Sequence, residues 1–318
     1  MRAVASAVLN AGRLTGAPGL GGLGKYVGVP DDQVSSGEEV SAATSPRWRW
    51  DPSLYAGSAR FYPIGRVEYP QDMVLALVDA LSLDGCGTLI DVGCGPGSLT
   101  LPLAPHVDHA IGIDADADML AEGARLAQER GIANVSWRQM FAEDLPADLS
   151  PVSVVTFAQS FHWFDRPRVA AAVRGLLQAR GAAVHVHAST TQGIDGETEL
   201  SRPRPPWERV GELVRRYLGP QRRAGQGVLV AGDHVEEATI YRAAGFSGPQ
   251  RIEISGRVVE RTVDEVVASV FSVSGSAPHL FGNHLDRFEA ELRALLAPVA
   301  ADGRFCEQMP AIIVDIWR

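Results

Sequence analysis

The stretch Thr88-Leu89-Ile90-Asp91-Val92-Gly93-Cys94-Gly95-Pro96-Gly97-Ser98-Leu99-Thr100 decides the fold. Its apolar start reads as a buried strand ending at Asp91. Alternate glycines then mark a tight turn, because glycine takes backbone conformations that other residues avoid and lets the chain press against a ligand. Ser98 is placed to cap a helix leaving that turn. A strand, a glycine turn and a helix N-terminus together form a cradle for a nucleotide-type cofactor. Asp114 ends the next apolar run, His109-Ala110-Ile111-Gly112-Ile113-Asp114, roughly 20 residues further on, where a carboxylate reaches ribose hydroxyls. Any tight βα turn can carry the same glycines; the pairing with Asp114 is what favours a cofactor.

Strands and helices alternate outward from this unit. Met73, Leu75, Val78 and Leu81 recur at helical spacing over residues 71–81. Asp116 is a natural N-cap for a helix that runs to about Arg130 and stops at Gly131. Residues 134–140 alternate as a third strand. Residues 152–158 form a continuous apolar run, as a parallel strand covered on both faces requires. A helix over 167–180, opened by Pro167, leads to a fifth strand at 182–188. Repeated βα units imply a parallel sheet with helices on both faces. After Thr190 the rhythm breaks. Residues 191–206 are polar and proline-containing, an insertion or a mobile loop. Helices are expected at 207–218, 233–244, 262–272 and 285–296, strands at 251–259 and 310–317, and a basic loop at 221–227.

The chain has 318 residues, is 46% hydrophobic and 21% charged, and carries a formal net charge of −9. That balance argues against a partner held by a broad basic surface, since phosphate binding needs clustered Lys and Arg. Cys86, Cys94 and Cys306 form no CxxC pair, which speaks against a disulfide framework or a zinc site and suits a reducing cytoplasm. No apolar run approaches the ~18 residues of a membrane span. Residues 1–46 are rich in small residues with little periodicity and are expected to be a poorly ordered arm.

The acid just ahead of the glycines, Asp91-x-Gly93-x-Gly95-x-Gly97, resembles motif I of class I S-adenosylmethionine (SAM) dependent methyltransferases more than the GxGxxG of dehydrogenases. Further stretches resemble the same family. Residues 55–70, with Tyr55, Arg66 and Tyr69, are similar to the segment that folds over the SAM pocket; Arg suits the carboxylate of SAM and aromatic faces attract its sulfonium. Ala142-Glu143-Asp144-Leu145-Pro146 resembles the segment bordering adenine, where either Glu143 or Asp144 accepts from the exocyclic amine. Gln159-Ser160-Phe161-His162-Trp163-Phe164 resembles the signature of a type 11 branch that includes trans-aconitate methyltransferase relatives, and Ser272-Val273-Ser274 is similar to a Ser-x-Ser of that branch.

The resemblance implies an α/β fold: a Rossmann-like doubly wound sheet of about seven strands, the last antiparallel, with helical additions forming the acceptor side. It implies one methyltransferase domain over 47–318, with its core at 71–190, an acceptor-side insertion at 191–230 and C-terminal elements at 231–318. SAM is the implied cofactor. Its candidate contacts are Tyr55, Arg66, Asp91, Gly93, Cys94, Gly95, Gly97, Asp114, Ala115, Met119, Ala142, Glu143, Asp144, Gln159 and Ser160. The implied reaction is methyl transfer to a carboxylate or hydroxyl of a small molecule, with no nucleic acid or membrane as partner. A SAM-binding protein of the same fold without transfer, such as a cyclase, is the alternative.

His162 is the candidate catalytic residue, as a base or hydrogen-bond partner for an acceptor hydroxyl; the alternative is that it packs structurally beside Trp163 and Phe164. His185 and His187 alternate with valines and point to one face. A metal would need further ligands there, and the sequence names none, so they read as pocket-floor or packing residues.

Overall fold

A computed structural model describes residues 51–318, apart from 197, 222, 225–226 and 229–235. The expected arm at 1–46 and the start of the 233–244 helix lie outside the described residues.

Helix α1 (Gln71–Leu81) is followed by β1 (Thr88–Val92), the short α2 (Thr100–Leu103), β2 (His109–Asp114), α3 (Ala117–Glu129) and β3 (Val135–Gln139). Next come β4 (Val152–Ala158), α4 (Arg166–Leu176), β5 (Leu177–His187), α5 (Trp207–Leu218), α6 (Glu237–Ala243) and β6 (Gln250–Ile254). The chain closes with β7 (Val258–Thr262), α7 (Val263–Phe271), α8 (Leu285–Leu296), β8 (Arg304–Gln308) and β9 (Ile312–Trp317).

The main sheet runs β3-β2-β1-β4-β5-β9-β6. The first five strands are parallel, and β9 lies antiparallel between β5 and β6. This is the doubly wound sheet of seven strands with its last strand reversed. The chain order changes direction between β1 and β4, the place where open α/β sheets leave a crevice beyond their strand ends.

Each strand feeds both faces, because side chains alternate along it. On one face Phe157, Ala183 and Trp317 pack with Val169 and Val173 of α4 and Tyr241 of α6. On the other, Val154, Val184 and Val314 pack with Met73 and Leu77 of α1 and Leu103 of α2. A third apolar cluster joins α5, α7 and α8 through Leu213, Phe271, Phe288 and Leu292. Burying one of these aromatic side chains contributes on the order of 2–3 kcal/mol.

Three local expectations need correction. Ser98 caps nothing: it is exposed, and α2 begins behind Leu99 with Leu101 N–H bonded to the Gly97 carbonyl at 2.9 Å. The helix expected to reach 180 ends at Leu176, because Leu177 turns extended and pairs with Val152 of β4. The single strand expected over 251–259 is two strands, and they join different sheets. β6 pairs with β9, whereas β7 forms a separate antiparallel pair with β8. The polar break Ser255-Gly256-Arg257 permits the change of partner.

Candidate functional site

The glycine turn is tied to the end of β2 before any ligand is considered. The N–H groups of Gly93 and Cys94 both donate to the Ile113 carbonyl, at 2.8 and 3.0 Å. Gly95 N–H donates to Asp114 Oδ2 at 2.8 Å, and Asp116 N–H to Asp114 Oδ1 at 2.9 Å. Burial pushes the Asp114 carboxyl up to about 6, against the pull of these N–H groups.

Two glycines of the turn are required by space as well as by conformation. Gly93 has φ +67°, and a Cβ there would stand 2.5 Å from Ser160 Cβ and 2.9 Å from the Phe164 ring. Gly97 has φ +81°, and its Cβ would meet the Trp137 ring at 2.6 Å. The same indole fills the room left by Gly112 and Gly123. Trp137 therefore sets the packing behind the turn, a role its place in an alternating strand does not reveal.

Asp91 is fully buried and takes hydroxyl bonds from Thr100 at 2.6 Å and Thr156 at 2.7 Å. Burial raises its pKa, and those two bonds oppose the rise. It braces α2 and β4 against β1 and does not line the cleft. Cys94 is buried behind the turn, with its thiol on the Gly95 carbonyl at 3.3 Å.

Over the strand ends lies a cleft that, with its open mouth, spans about 670 Å³. Asp114, Ala115 and Met119 form one wall, and Met140, Phe141, Ala142 and Glu143 a second. Gln159, Ser160, Trp163 and Phe164 form the third, while Tyr55 and Tyr62 close the cleft from the preceding segment. Tyr55 meets the Trp163 ring edge-on at 6.4 Å and the Tyr62 ring at 6.5 Å. Gln159 stands at φ +59°, an uncommon conformation for a side-chain-bearing residue. It is held there by bonds from Nε2 to the Tyr69 hydroxyl at 3.1 Å and to Thr190 Oγ1 at 3.4 Å. Ser160 Oγ donates to the Val92 carbonyl at 2.5 Å, joining the third wall to β1.

Of the candidate residues, Tyr55, Gly93, Gly95, Asp114, Ala115, Met119, Ala142, Glu143, Gln159 and Ser160 converge on this cleft. Arg66, Asp91, Cys94, Gly97, Asp144 and His162 are not among its lining residues. Arg66 is used elsewhere: Nε donates to Ser272 Oγ at 2.9 Å, an Nη donates to the Ser272 carbonyl at 2.7 Å, and the guanidinium lies over the Tyr62 ring at 4.4 Å. It thus fixes one of the ring walls. Asp144 is exposed, so of the two acids Glu143 is the one on the cleft, where its Oε1 accepts from Asp165 N–H at 2.8 Å. His162 is exposed and packs tilted on Trp163 at 4.8 Å. The cleft is also lined by Tyr62, Ile113, Met140, Phe141, Ala158, Trp163 and Phe164, which sequence reasoning did not place there. The aromatic crowding at 55–69 and at 161–164 was the available signal, but spacing alone does not tell which rings face inward.

The cleft offers ring faces, apolar walls and two carboxylates. That combination suits a ligand with a flat heterocycle, hydroxyls to donate and a positive centre.

A second pocket opens beside β5. His185 and His187, on one face of that strand, meet Glu237 from α6 and Asp315 from β9 there. The third and fourth groups were invisible to the sequence because the fold brings them from 50 and more residues away.

Residues 89–181 match the family described as "Methyltransferase domain". Over 82 residues the chain is 34% identical to the uncharacterized methyltransferase YcgJ of Bacillus subtilis, covering 26% of this chain and 32% of that protein. The crystal structure of YcgJ aligns at a TM-score of 0.45 and 18% identity, over 78% of this chain and 99% of that one. The nocamycin O-methyltransferase of Saccharothrix syringae is 30% identical over 206 residues, 64% of this chain and 66% of that protein. The 23S rRNA (uracil(1939)-C(5))-methyltransferase RlmD of Hahella chejuensis is 30% identical over 101 residues, 30% of this chain but 22% of the relative. The chain thus spans a third or less of YcgJ and RlmD by sequence, and about two thirds of the nocamycin enzyme. Among the described residues no helix is long and apolar enough to cross a membrane.

Proposed function

We propose, for a chain that belongs to the class I SAM-dependent methyltransferases, that it binds SAM in the aromatic cleft above β1 and methylates an oxygen of a small-molecule acceptor. The observation that carries this reading is the Asp114 carboxylate at the cleft wall, 2.8 Å from the Gly95 N–H of a turn whose Gly93 leaves no room for a side chain. At Gly95, by contrast, an added Cβ would meet nothing nearer than the Tyr62 ring at 4.0 Å, and that open side of the turn is the space for the ligand.

In this reading Asp114 accepts from the ribose hydroxyls. Ala142 and Glu143 border adenine, with Glu143 taking the exocyclic amine. Tyr55, Tyr62 and Trp163 supply aromatic rings around the positive centre, which ring faces attract. Bound SAM supplies a methyl group already activated by a sulfonium leaving group. The chain's contribution is then alignment of the acceptor and exclusion of water. A carboxylate acceptor needs no base, and that agrees with a cleft whose titratable acids are Asp114 and Glu143 while His162 lies outside its lining. A hydroxyl acceptor would need a base, for which His162 is the candidate.

Among the relatives, the nocamycin O-methyltransferase aligns far beyond the glycine-turn region, over 206 residues, and supports a small-molecule acceptor. The net charge of −9 supports it too, because a polynucleotide acceptor calls for a basic surface.

Incubation with methyl-labelled SAM and a panel of small carboxylic acids and phenols tests the proposal. Label recovered in an esterified or etherified product supports it. Tight SAM binding with no labelled product from any acceptor would favour a binding or cyclase-type role, and label found in RNA would favour a nucleic-acid acceptor.

A further inference from the structure

We propose that His185, His187 and Glu237 form a divalent transition-metal site of the His₂Glu type, separate from the aromatic cleft. Their ligand atoms lie within 4.8 Å of one another. His185 Nδ1 stands 3.3 Å from Glu237 Oε2, and His187 Nε2 stands 3.6 Å from the same oxygen. A zinc ion bound tetrahedrally at about 2.0–2.1 Å separates neighbouring ligand atoms by about 3.3–3.4 Å, so two edges of the triangle already have nearly that length.

The second observation is an orphaned buried nitrogen. His185 is 4% exposed, and its Nδ1 has no hydrogen-bond partner although it lies beside a carboxylate. An unpaired buried polar atom is costly and rare. The two imidazoles stack at 4.2 Å and 17°, which sends both toward Glu237.

The surroundings define the ligand set. Asp315 Oδ2 lies 3.7 Å from His187 Nε2, but both Asp315 oxygens accept from Arg251 at 2.7 Å. Asp315 is therefore an outer-shell carboxylate rather than a fourth ligand. Arg166 and Arg242 also line the pocket; Arg166 bears electrostatically on Glu237 and is the cation an ion must compete with. The pocket, about 1120 Å³ in extent, leaves the fourth metal position open to water or to a small anion. It shares no lining residue with the aromatic cleft. In the fold, the ion clasps α6 to β5.

The test is titration of the untagged full chain with Co²⁺, read by the visible absorption of tetrahedral cobalt, followed by displacement with Zn²⁺ against a chromophoric chelator. One equivalent is expected to bind. Glu237→Gln and His187→Gln, both at partly exposed positions, are each expected to weaken binding at least tenfold and to abolish the rise in melting temperature that Zn²⁺ gives the parent chain. His109→Gln, on the opposite part of the sheet, is expected to leave both unchanged. Failure of the parent chain to saturate at one equivalent, or parent-like binding by both variants, overturns the site.

Discussion

In the proposed reading, Asp114 is the residue on which SAM binding turns. Its carboxyl is raised to about 6 by burial, so folding favours the protonated form. The contribution of that proton to stability is complete below the unfolded value near 3.8 and is lost as pH rises through about 6. Ligand binding runs the other way, because the ionised form is the better acceptor for ribose hydroxyls. SAM affinity measured by calorimetry is expected to be about tenfold weaker at pH 5 than at pH 7.5, and Asp114→Asn is expected to flatten that profile. Gly97 makes a second prediction. At φ +81° with the Trp137 ring 2.6 Å from any added Cβ, Gly97→Ala is expected to cost about 1–3 kcal/mol in urea unfolding. Both residues were legible: spacing named the acid, and the turn named the glycines. The roles of Arg66 and Asp91 were not. Arg66 pairs with Ser272, which is 206 residues away, and Asp91 bonds Thr156 across a neighbouring strand; no local pattern carries either contact.

At the scale of elements, apolar runs and caps were sufficient for α1, α3, α5, α8 and the five parallel strands. Asp116 caps α3 by accepting from the N–H groups of Asp118 and Met119, as its residue type foretold. What spacing left unread was the pairing of two short segments. β7 and β8 sit outside the main sheet and alternate only weakly, so one read as the tail of β6 and the other as nothing. A buried group joins this strand pair to the segment after β5. Glu307, 2% exposed, accepts from Gly193 N–H at 2.8 Å and Trp207 Nε1 at 2.6 Å, and pairs with the buried Arg261 at 3.2 Å. Arg261 in turn donates to the carbonyls of Gly65 and Glu265. Removing one partner of a buried pair strands the other, so Glu307→Ala is expected to destabilise by about 3–5 kcal/mol in denaturant unfolding. Glu307→Gln, which keeps an acceptor oxygen, is expected to cost less.

Across the whole molecule, the sheet delivers walls to one crevice from elements far apart in sequence: the turn after β1, the end of β2, the segment after β3, the run after β4 and the aromatic segment before α1. The order β3-β2-β1-β4-β5-β9-β6 makes that convergence possible, and the alternating strand–helix rhythm foretold it. The account rests on this crevice holding a nucleoside with a sulfonium. Calorimetric titration of SAM into the parent chain and into Asp114→Ala tests that claim most directly. Saturable one-to-one binding that the substitution weakens by at least ~1 kcal/mol, the loss of a hydrogen bond to a charged group, is the expected result. No binding by the parent chain, or equal affinity in the two proteins, would contradict it.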